Sequence, residues 1–404
     1  MFIMGVLVMA AVKRKDSKGR VLKAGEHERK DGRYMYIYKN PQSSKKEYVY
    51  ANTLQELREK EEQVNKDLLD GIDSASAKMT LNELFSVRMN LKKDLRESTR
   101  TNYLRMWKSC VQSSSIGNRK ICDLKQIHIK TFYTELSKAG MKKNSIKLIH
   151  NLIFSALELA VDSDFIRKNP AKDCMKEIKS DADEKVPLNE TEIQNLIKFC
   201  ERSTVYSCHI PFLIIAIQSC MRVGELTGLT WQDVDMKKRI INVNHQLIYK
   251  NYGDGCKFHI SKPKTEAGCR TIPMTQAVYD AFLEIKKTNM LLGKRCMMNV
   301  EGYDNFVFLS GSGSPLAVNA VNSFLLNIEK AYNKEHSEDK IPHLSAHVLR
   351  HTGCTLFASA GMELKVLQDL MGHADAQVTL NVYNHKSEER TAREIHRIDN
   401  VINL

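Results

Sequence analysis

The pattern of hydrophobic and polar positions divides the chain into three regions of different character. In the first, GRYMYIYKN and KKEYVYAN have the aromatic and β-branched content of two short strands, and a helical pattern follows them. In the second, apolar positions recur at helical spacing, most densely in SIKLIHNLIFSALELAV, which predicts a central core helix. In the third, apolar helices alternate with short strands. We therefore expect a multidomain, mainly α protein with small antiparallel sheets.

Capping residues and polar linkers place the boundaries between these regions. Thr53, Thr80 and Asn189 are each followed three residues later by Glu, which is the pattern of a helix N-terminus. The Gly/Ser/Ala-rich GIDSASAK and the polar MKEIKSDADEKVP read as linkers. The predicted domains are residues 1–75, 76–175 and 183–404.

The third region is expected to be helical with a small antiparallel sheet. IPFLIIAIQSC predicts a buried helix, and IINVNHQLIYK predicts one strand. FHISKPKTEAGCRTIPM predicts two strands joined by a turn at residues 264–268. Further helices are predicted at about 275–288, 317–333, 346–360 and 363–371.

Charge narrows the class of partner. The formal net charge is +13. This excess of Lys and Arg favours a protein that binds a polyanion such as nucleic acid; the alternative is a merely basic soluble protein. Ten Cys without a CxxC pair or His/Cys ligand spacing indicate reduced thiols, not a zinc site or disulfide framework. The apolar residues 1–12 are too short to span a membrane and no positive region precedes them, which disfavours a signal peptide. An upstream start codon, with true translation from Met4 or Met9, also explains the stretch.

Four residues near the C-terminus have the composition of a phosphate-handling site. His347 and Arg350 are three apart, so on a helix they share a face. His373 follows Gly372 at a predicted helix stop, and Tyr383 lies ten residues further on. Arg, His and Tyr without a carboxylate cluster suit phosphate chemistry done without a metal.

Three sequence boxes resemble those of a known family. HVLRHT, LMGHADAQVTLNVY and, upstream, MRVGELTGLTW look like the signature boxes of tyrosine recombinases, the phage lambda integrase class. The organisation of the rest of the chain resembles that of conjugative-transposon integrases. The resemblance implies a small α+β N-terminal domain that binds arm sites, a helical (SAM-like) core-binding domain, and a mixed α+β catalytic domain that together with the core-binding domain forms a clamp round the duplex.

The resemblance also implies an activity. Such an enzyme integrates and excises a mobile element by cutting one strand of each duplex through a 3′-phosphotyrosyl intermediate and exchanging strands through a Holliday junction. The implied partners are double-stranded DNA at core and arm attachment sites, further copies of the chain in a tetramer, and a small excisionase or host DNA-bending protein. No metal or nucleotide cofactor and no membrane are implied, and the expected location is the bacterial cytoplasm at the nucleoid.

Six positions match the catalytic pattern of the family: Arg222, Lys264, His347, Arg350, His373 and Tyr383. Tyr383 is the candidate nucleophile, and the planar forks of Arg222 and Arg350 suit bidentate binding of phosphate oxygens. His347 accepts the tyrosyl proton or donates to a phosphate oxygen, and His373 is a second donor. Lys264 protonates the leaving oxygen, with Lys262 as the alternative.

Neighbours of these residues are assigned supporting parts. Glu225 is expected to orient Arg222 or to hold the fold, not to take a proton, and His351 and His385 are interpreted as structural. Val348 stands where an acidic residue is common in the family, and Cys220 where a small one is usual. Neither departure is expected to touch the chemistry.

Candidate DNA contacts lie in the first two regions. Arg33 with Tyr34, Tyr36 and Tyr38 on alternate positions could place a sheet in a DNA groove; alternatively, the three tyrosines pack on the following helix. A second cluster, Lys142, Lys143 and Lys147, begins the longest predicted helix, where anions are favoured.

The C-terminal tail has one apolar helical face: Ile395, Ile398 and Ile402. This face either docks on a neighbouring protomer or packs on its own domain. Alternative functions are a DNA-binding regulator that has lost catalysis, a chromosome-dimer resolvase and a type IB topoisomerase. The basic N-terminal domain argues against the resolvase, and the spacing of the boxes argues against the topoisomerase.

Overall fold

A computed structural model describes residues 14–40, 45–69, 78–178, 186–253, 255–263, 266–375, 377 and 379–380. The chain divides into two compact units, Met1–Ala182 and Asp183–Leu404. Asp183 is also the first residue of the predicted catalytic domain, an assignment that stays a prediction. The predicted split of the first unit near residue 75 stays a prediction.

The first unit opens with a three-stranded antiparallel sheet and a helix. Strands β1 (Glu26–Glu28), β2 (Tyr34–Lys39) and β3 (Lys46–Ala51) pair in that order. Helix α1 (Leu54–Leu69) begins after Thr53, whose side chain accepts from the Glu56 amide. Successive strand residues point to opposite faces, so one face of β2 packs on this helix. The core there contains Tyr34, Tyr36, Ala51, Leu54 and Leu57.

Within residues 78–178 of the first unit, four α-helices are described: α2 (Leu81–Leu91), α3 (Glu97–Cys110), α4 (Gln126–Lys138) and α5 (Lys143–Asp162). The predicted capping box of Thr80 and Glu83 is present at the start of α2. As expected from its sequence, α5 carries the central apolar face of a separate core. Phe85 stacks on Trp107 in this core, and the indole nitrogen of Trp107 donates to Asn82 at 2.9 Å.

Seven helices of the second unit are described: α6 (Glu190–Arg202), α7 (Ile210–Ser219), α8 (Val223–Gly228), α9 (Gln276–Leu291), α10 (Val318–Glu335), α11 (Ala346–Ser359) and α12 (Leu364–Met371). Helix α7 is apolar nearly all round and is buried in the middle of this core. Among the helices that the structure describes, none is long and apolar enough to cross a lipid bilayer.

The strands of the second unit form two sheets, which differs from the prediction. Strands β4 (Val234–Asp235), β5 (Ile240–Val243) and β8 (Arg270–Pro273) make one sheet, and β6 (Gln246–Asn251) pairs with β7 (Cys256–Ser261) in another. The strands predicted to be joined by the lysine-bearing turn, β7 and β8, therefore do not pair with each other. Residues 262–269 instead connect two sheets.

The predicted single strand IINVNHQLIYK is also wrong, because two polar residues interrupt it. The Asn244 side chain donates to Asp233 at 3.1 Å, and the His245 ring lies 2.7 Å from the Gly228 carbonyl oxygen. Strand β5 ends before these two residues and β6 begins after them, in the second sheet. Periodicity alone did not reveal the break, since apolar positions continue on both sides.

Several predicted features lie outside the described residues. They are residues 1–12, Lys264, Tyr383, His385 and the tail face of Ile395, Ile398 and Ile402. The expectations attached to them stay predictions.

Candidate active site

Arg222 lies at the junction between the buried helix α7 and the short helix α8. Cys220 ends α7 in the left-handed conformation, with φ of 51°. Arg222 then caps α8, where its amide donates to Glu225 at 2.9 Å and its Nη1 donates to the same carboxylate at 2.8 Å. Its Nη2 donates to the Gly372 carbonyl at 2.9 Å, yet 41% of the side chain is exposed. The guanidinium is thus held on one side and accessible to an anion on the other.

Arg350 is buried beneath this position and bound by backbone carbonyls. It lies on α11, which Ser345 caps by accepting from the Val348 amide. Only 4% of the residue is exposed. Nη1 donates to the Cys220 carbonyl at 2.5 Å, and Nη2 donates to the Met371 carbonyl at 2.6 Å. Burial, together with the charge of Arg222, lowers the pKa of Arg350 to about 10, so the side chain remains a cation at neutral pH.

His373 completes the buried part of the site. Helix α12 ends at Gly372 in the left-handed conformation, as predicted, and His373 follows it. Its Nε2 lies 2.9 Å from Nη2 of Arg350, and its Nδ1 lies 3.0 Å from Oγ1 of Thr379. Because an arginine only donates, Nε2 accepts and the ring proton sits on Nδ1. Burial, reinforced by Arg350 and Arg222, lowers the pKa of His373 to about 4.

The structure therefore gives His373 a different hydrogen-bonding state from the predicted one. We expected it to donate to a phosphate, but here Nε2 accepts from Arg350 and Nδ1 donates to Thr379. Donation from Nε2 requires a change of tautomer or of partner. The role of phosphate donor stays a prediction.

His347 is exposed on α11, whereas Arg350 on the same helix is buried. The two residues share the helix as predicted, but His347 reaches the outer surface. Its Nε2 lies 2.9 Å from Nε2 of His351 with the rings near perpendicular, so one of these two nitrogens carries the proton. His351, which we interpreted as structural, is thus a direct partner of His347.

Glu225 is a buried carboxylate held between two arginines. Its Oε1 accepts from Nη1 of Arg222 and its Oε2 from Nη2 of Arg270, both at 2.8 Å. Burial alone would raise the pKa of this carboxyl group, but the hydrogen bonds and charge of Arg270 and the bonds from Arg222 outweigh it and lower the pKa. Glu225 is therefore ionised and orients Arg222, as expected.

Arg270 was not among the predicted site residues. It begins β8, only 6% of its side chain is exposed, and besides Glu225 it binds the carbonyls of Leu370 at 2.7 Å and Gly268 at 3.2 Å. A signal was present in the sequence: in RTIP a two-residue period places Arg270 on the same face as the buried Ile272. A cation on a core-facing strand position needs a buried partner.

The structure thus brings Arg222, Arg350 and His373 together at the end of α12, with His347 on the neighbouring surface of α11. Lys264 and Tyr383 lie outside the described residues. Lys262, the alternative to Lys264, is exposed in the segment that connects the two sheets. Within the described ranges, no group of three or more His, Cys, Asp or Glu side chains is arranged to hold a metal ion.

The predicted DNA contacts of the N-terminal sheet need a correction. Tyr34 and Tyr36 are buried against α1, and Tyr38 is half-buried with its hydroxyl 2.8 Å from Glu47. Their common face is the core face, so the prediction that Tyr34 and Tyr36 line a DNA groove is wrong. Tyr48 and Tyr50, 51% and 45% exposed, occupy the opposite face.

The basic candidates for DNA contact are exposed or half-buried. Arg33 is exposed and paired with Asp31 at 2.7 Å. Lys142 caps α5 and Lys143 is its first residue. Lys142 and Lys147 are exposed and Lys143 is half-buried. Their contacts with DNA stay predictions.

Comparison with known proteins identifies the family. Residues 187–390 match the phage integrase family, and residues 10–68 match the DNA-binding domain of Tn916 integrase. The chain is 32% identical to the transposase from transposon Tn1545 of Streptococcus agalactiae over 96% of its own length and 97% of the relative. It shows the same identity and coverage with the transposase from transposon Tn916 of Enterococcus faecalis.

A solved structure agrees with the sequence matches. The Tn1549 transposon integrase, solved in complex with a circular intermediate DNA, is 30% identical and has a TM-score of 0.72. The match covers 79% of this chain and 99% of that one. With its two arginines, buried glutamate and paired histidines in the matched region, this chain belongs to the phage integrase family and is a tyrosine recombinase.

Proposed function

We propose that Tyr383 is the nucleophile with which this site-specific recombinase breaks and rejoins DNA as it integrates and excises a mobile element. The observation that supports this is the convergence of Arg222 and Arg350, one accessible and one buried, at His373, ten residues before the tyrosine in the chain. That arrangement suits a phosphodiester whose negative charge grows during the reaction.

The cleavage step balances without a cofactor. The Tyr383 oxygen forms a bond to phosphorus, its proton passes to His347, and the bond from phosphorus to the 5′ oxygen breaks as Lys264 protonates that oxygen. The free phenol has a pKa near ~10, so a proton acceptor and neighbouring cations are needed at neutral pH. The 3′-phosphotyrosyl ester conserves the energy of the broken bond. Attack by the 5′ hydroxyl of the partner strand reverses the step and rejoins the DNA.

The two arginines act on the non-bridging oxygens. Arg222 presents an exposed part of its fork while Glu225 and the Gly372 carbonyl fix the remainder. Arg350, bound to two carbonyls, supplies a fixed charge from below. Because both are held before DNA arrives, little reorganisation is needed as the phosphorane forms.

The exposed face of the N-terminal sheet is the proposed arm-site surface. Met35 is paired with Tyr50, Ile37 with Tyr48 and Lys39 with Lys46 across β2 and β3. This face combines exposed aromatic rings with Lys39 and Lys46, which suits a sheet lying in a groove and contacting phosphates. The match of residues 10–68 to a DNA-binding domain supports this assignment and the boundary near residue 75.

The remaining domains and partners follow from the reaction. We assign core-site binding to residues 76–175, with Lys142, Lys143 and Lys147 at phosphates, and catalysis to residues 183–404. Exchange of four strands with one tyrosine per strand calls for four protomers on two sites, which pass through a Holliday junction. The tail face of Ile395, Ile398 and Ile402 would join them. The enzyme would act in the bacterial cytoplasm at the nucleoid, with a small excisionase or host DNA-bending protein setting direction.

A suicide DNA substrate, nicked beside the crossover site, tests the proposal. Loss of the short fragment after cleavage traps the enzyme on DNA. Wild type should give an adduct that survives SDS, Tyr383→Phe should bind the DNA without forming it, and Tyr279→Phe should behave as wild type. Tyr279 is a matched control because its ring contact with Arg239 does not need the hydroxyl.

The other outcomes assign the function elsewhere. An adduct from both wild type and Tyr383→Phe would move the nucleophile to another residue. Binding without an adduct from any variant, on a verified cognate site, would favour the DNA-binding regulator over the enzyme.

A further inference from the structure

Arg270 contacts three parts of the catalytic unit that lie far apart in the chain. Its Nη2 binds Glu225 on α8, its Nε binds the Leu370 carbonyl in the last turn of α12, and its Nη1 binds the Gly268 carbonyl. Arg270 itself begins β8 and is six residues from Lys264. One buried guanidinium therefore joins a helix N-terminus, a helix C-terminus and the segment between the sheets.

We propose that Arg270 is a positioning residue that holds the phosphate-binding Arg222 in place. The inference rests on the proposed function, since it concerns the same reaction. Arg270 itself is buried, so its effect on the phosphate runs through its neighbours.

The first connection runs through the carboxylate of Glu225. Its Oε1 accepts a hydrogen bond from Nη1 of Arg222. Its Oε2 accepts hydrogen bonds from the Arg222 amide and from Nη2 of Arg270. The hydrogen bond from Arg270 adds a buried donor that restricts rotation of the Glu225 carboxylate about its Cγ–Cδ bond. The orientation of the Arg222 guanidinium is restricted with it.

The second connection runs through the end of α12. Arg222 also donates to the Gly372 carbonyl, two residues after the Leu370 carbonyl that Arg270 binds. A Cβ atom at Gly372 would lie 3.0 Å from Nη1 of Arg270 and 2.9 Å from the Ala267 carbonyl oxygen. Arg270 thus packs directly against the turn that gives Arg222 its second acceptor.

Only an arginine can bind both the Glu225 carboxylate and the end of α12. Its planar fork reaches acceptors in three directions at once, whereas a lysine ammonium on a flexible stem would satisfy the charge of Glu225 but not the full set. Arg270→Lys therefore separates the charge of the residue from its geometry. Because this ion pair is buried, Arg270→Gln removes the buried cation that pairs with the Glu225 carboxylate.

The test compares full-length wild type, Arg270→Lys, Arg270→Gln and Arg239→Gln on the suicide substrate. Arg239 is a matched control because it is an exposed arginine beside the same sheet, bonded to Gln276. For each protein we would measure thermal unfolding, DNA affinity and the single-turnover rate of adduct formation at saturating DNA.

We expect Arg270→Lys to fold and to bind DNA as wild type does, and to form adduct about 100-fold more slowly, the scale of loss caused by a small misplacement of a catalytic group. Arg239→Gln should match wild type in rate. If Arg270→Gln fails to fold, the decision rests on Arg270→Lys, which keeps a cation beside Glu225.

A substrate with a 5′-bridging sulfur separates an effect on the leaving group from an effect on the phosphate, while thermal unfolding and DNA affinity report any general loss of structure. Its thiolate leaves without a general acid, so it should rescue Lys264→Ala but leave Arg270→Lys slow. Rescue of Arg270→Lys would show that the residue serves the leaving group and would overturn the proposal. A folded Arg270→Lys with the wild-type rate would overturn it too. Absence of any Tyr383-dependent adduct from wild type would instead reject the proposed function.

Discussion

Nη2 of Arg350 lies 2.9 Å from Nε2 of His373, with the arginine as donor and the histidine as acceptor. The bond fixes the tautomer of the histidine and places its remaining proton against Thr379. It also places a neutral ring beside a buried cation, since the pKa of His373 is lowered to about 4. The two groups that flank the proposed phosphate site therefore contribute one positive charge at neutral pH.

The stability of the protein should depend on pH through His373. Its pKa is about 4 in the folded protein and near ~6.5 when unfolded, so the unfolded chain binds more protons between these values. Stability is then complete above about pH 6.5 and is lost as the pH falls toward 4, by on the order of 1–2 kcal/mol at pH 5 after allowance for partial exposure.

Denaturant unfolding of wild type and His373→Gln at pH 7 and pH 5 measures this effect. The loss of stability on acidification should be smaller in the variant. Equal losses in the two proteins would show that His373 is not protonated on unfolding in this range.

Substitution of the two arginines should affect the rate of cleavage similarly but the free energy of unfolding differently. Both Arg222→Gln and Arg350→Gln should slow adduct formation by roughly 100- to 1000-fold, since each removes a donor from the developing charge. Arg350→Gln should also lower the free energy of unfolding by about 2–4 kcal/mol, because buried carbonyls of Cys220 and Met371 lose charged donors.

Arg222→Gln should lower the free energy of unfolding by about 1 kcal/mol or less, because the Arg222 side chain is partly exposed and Glu225 still pairs with Arg270. Chemical denaturation beside single-turnover kinetics checks both variants. The opposite order of stabilities would contradict the burial argument.

The general acid should be distinguishable by leaving-group chemistry. Lys264→Ala should slow cleavage of ordinary DNA by about 100- to 10 000-fold, the usual contribution of a positioned acid, and should cleave a 5′-bridging thio substrate near the wild-type rate. Lys262→Ala is the matched control and should cleave both substrates normally. Thio rescue of Lys262→Ala alone would transfer the role to that residue.

The two faces of the N-terminal sheet should respond differently to mutation. Tyr48→Ala should weaken arm-site binding about tenfold without lowering the melting temperature, as expected for an exposed aromatic contact. Tyr36→Ala should destabilise the domain by about 3–5 kcal/mol, because the ring is in the core. Gel shifts and thermal melts of the two single variants decide between the faces.

A salt titration of Lys46→Ala adds an electrostatic measurement. If Lys46 contacts a phosphate, the slope of log affinity against log salt should fall by about one. An unchanged slope would place the phosphate contacts elsewhere.

Much of the architecture could be predicted from local signals. The capping pairs that start at Thr80 and Asn189 are formed, and Gly372 ends α12 as expected. These features depend on a few neighbouring residues. The family of the chain was likewise visible in three short boxes.

What could not be predicted depends on pairing and side-chain direction. Whether β7 meets β8 or β6 is decided by long-range register, which the alternation of apolar residues does not encode. The tyrosines of β2 obey the expected period of two, but the period does not say which face meets the helix. The link from Arg270 to Glu225 spans 45 positions and has no local pattern.

Arg350 takes its fixed contacts from the carbonyl oxygens of Cys220 and Met371, not from their side chains. Every amino acid offers the same carbonyl, so the identity of these two residues can vary without removing an acceptor. The bond to Arg350 therefore does not depend on the thiol of Cys220. Substitutions that move the backbone here would displace these two carbonyl acceptors, so we expect those substitutions to weaken the hold on Arg350.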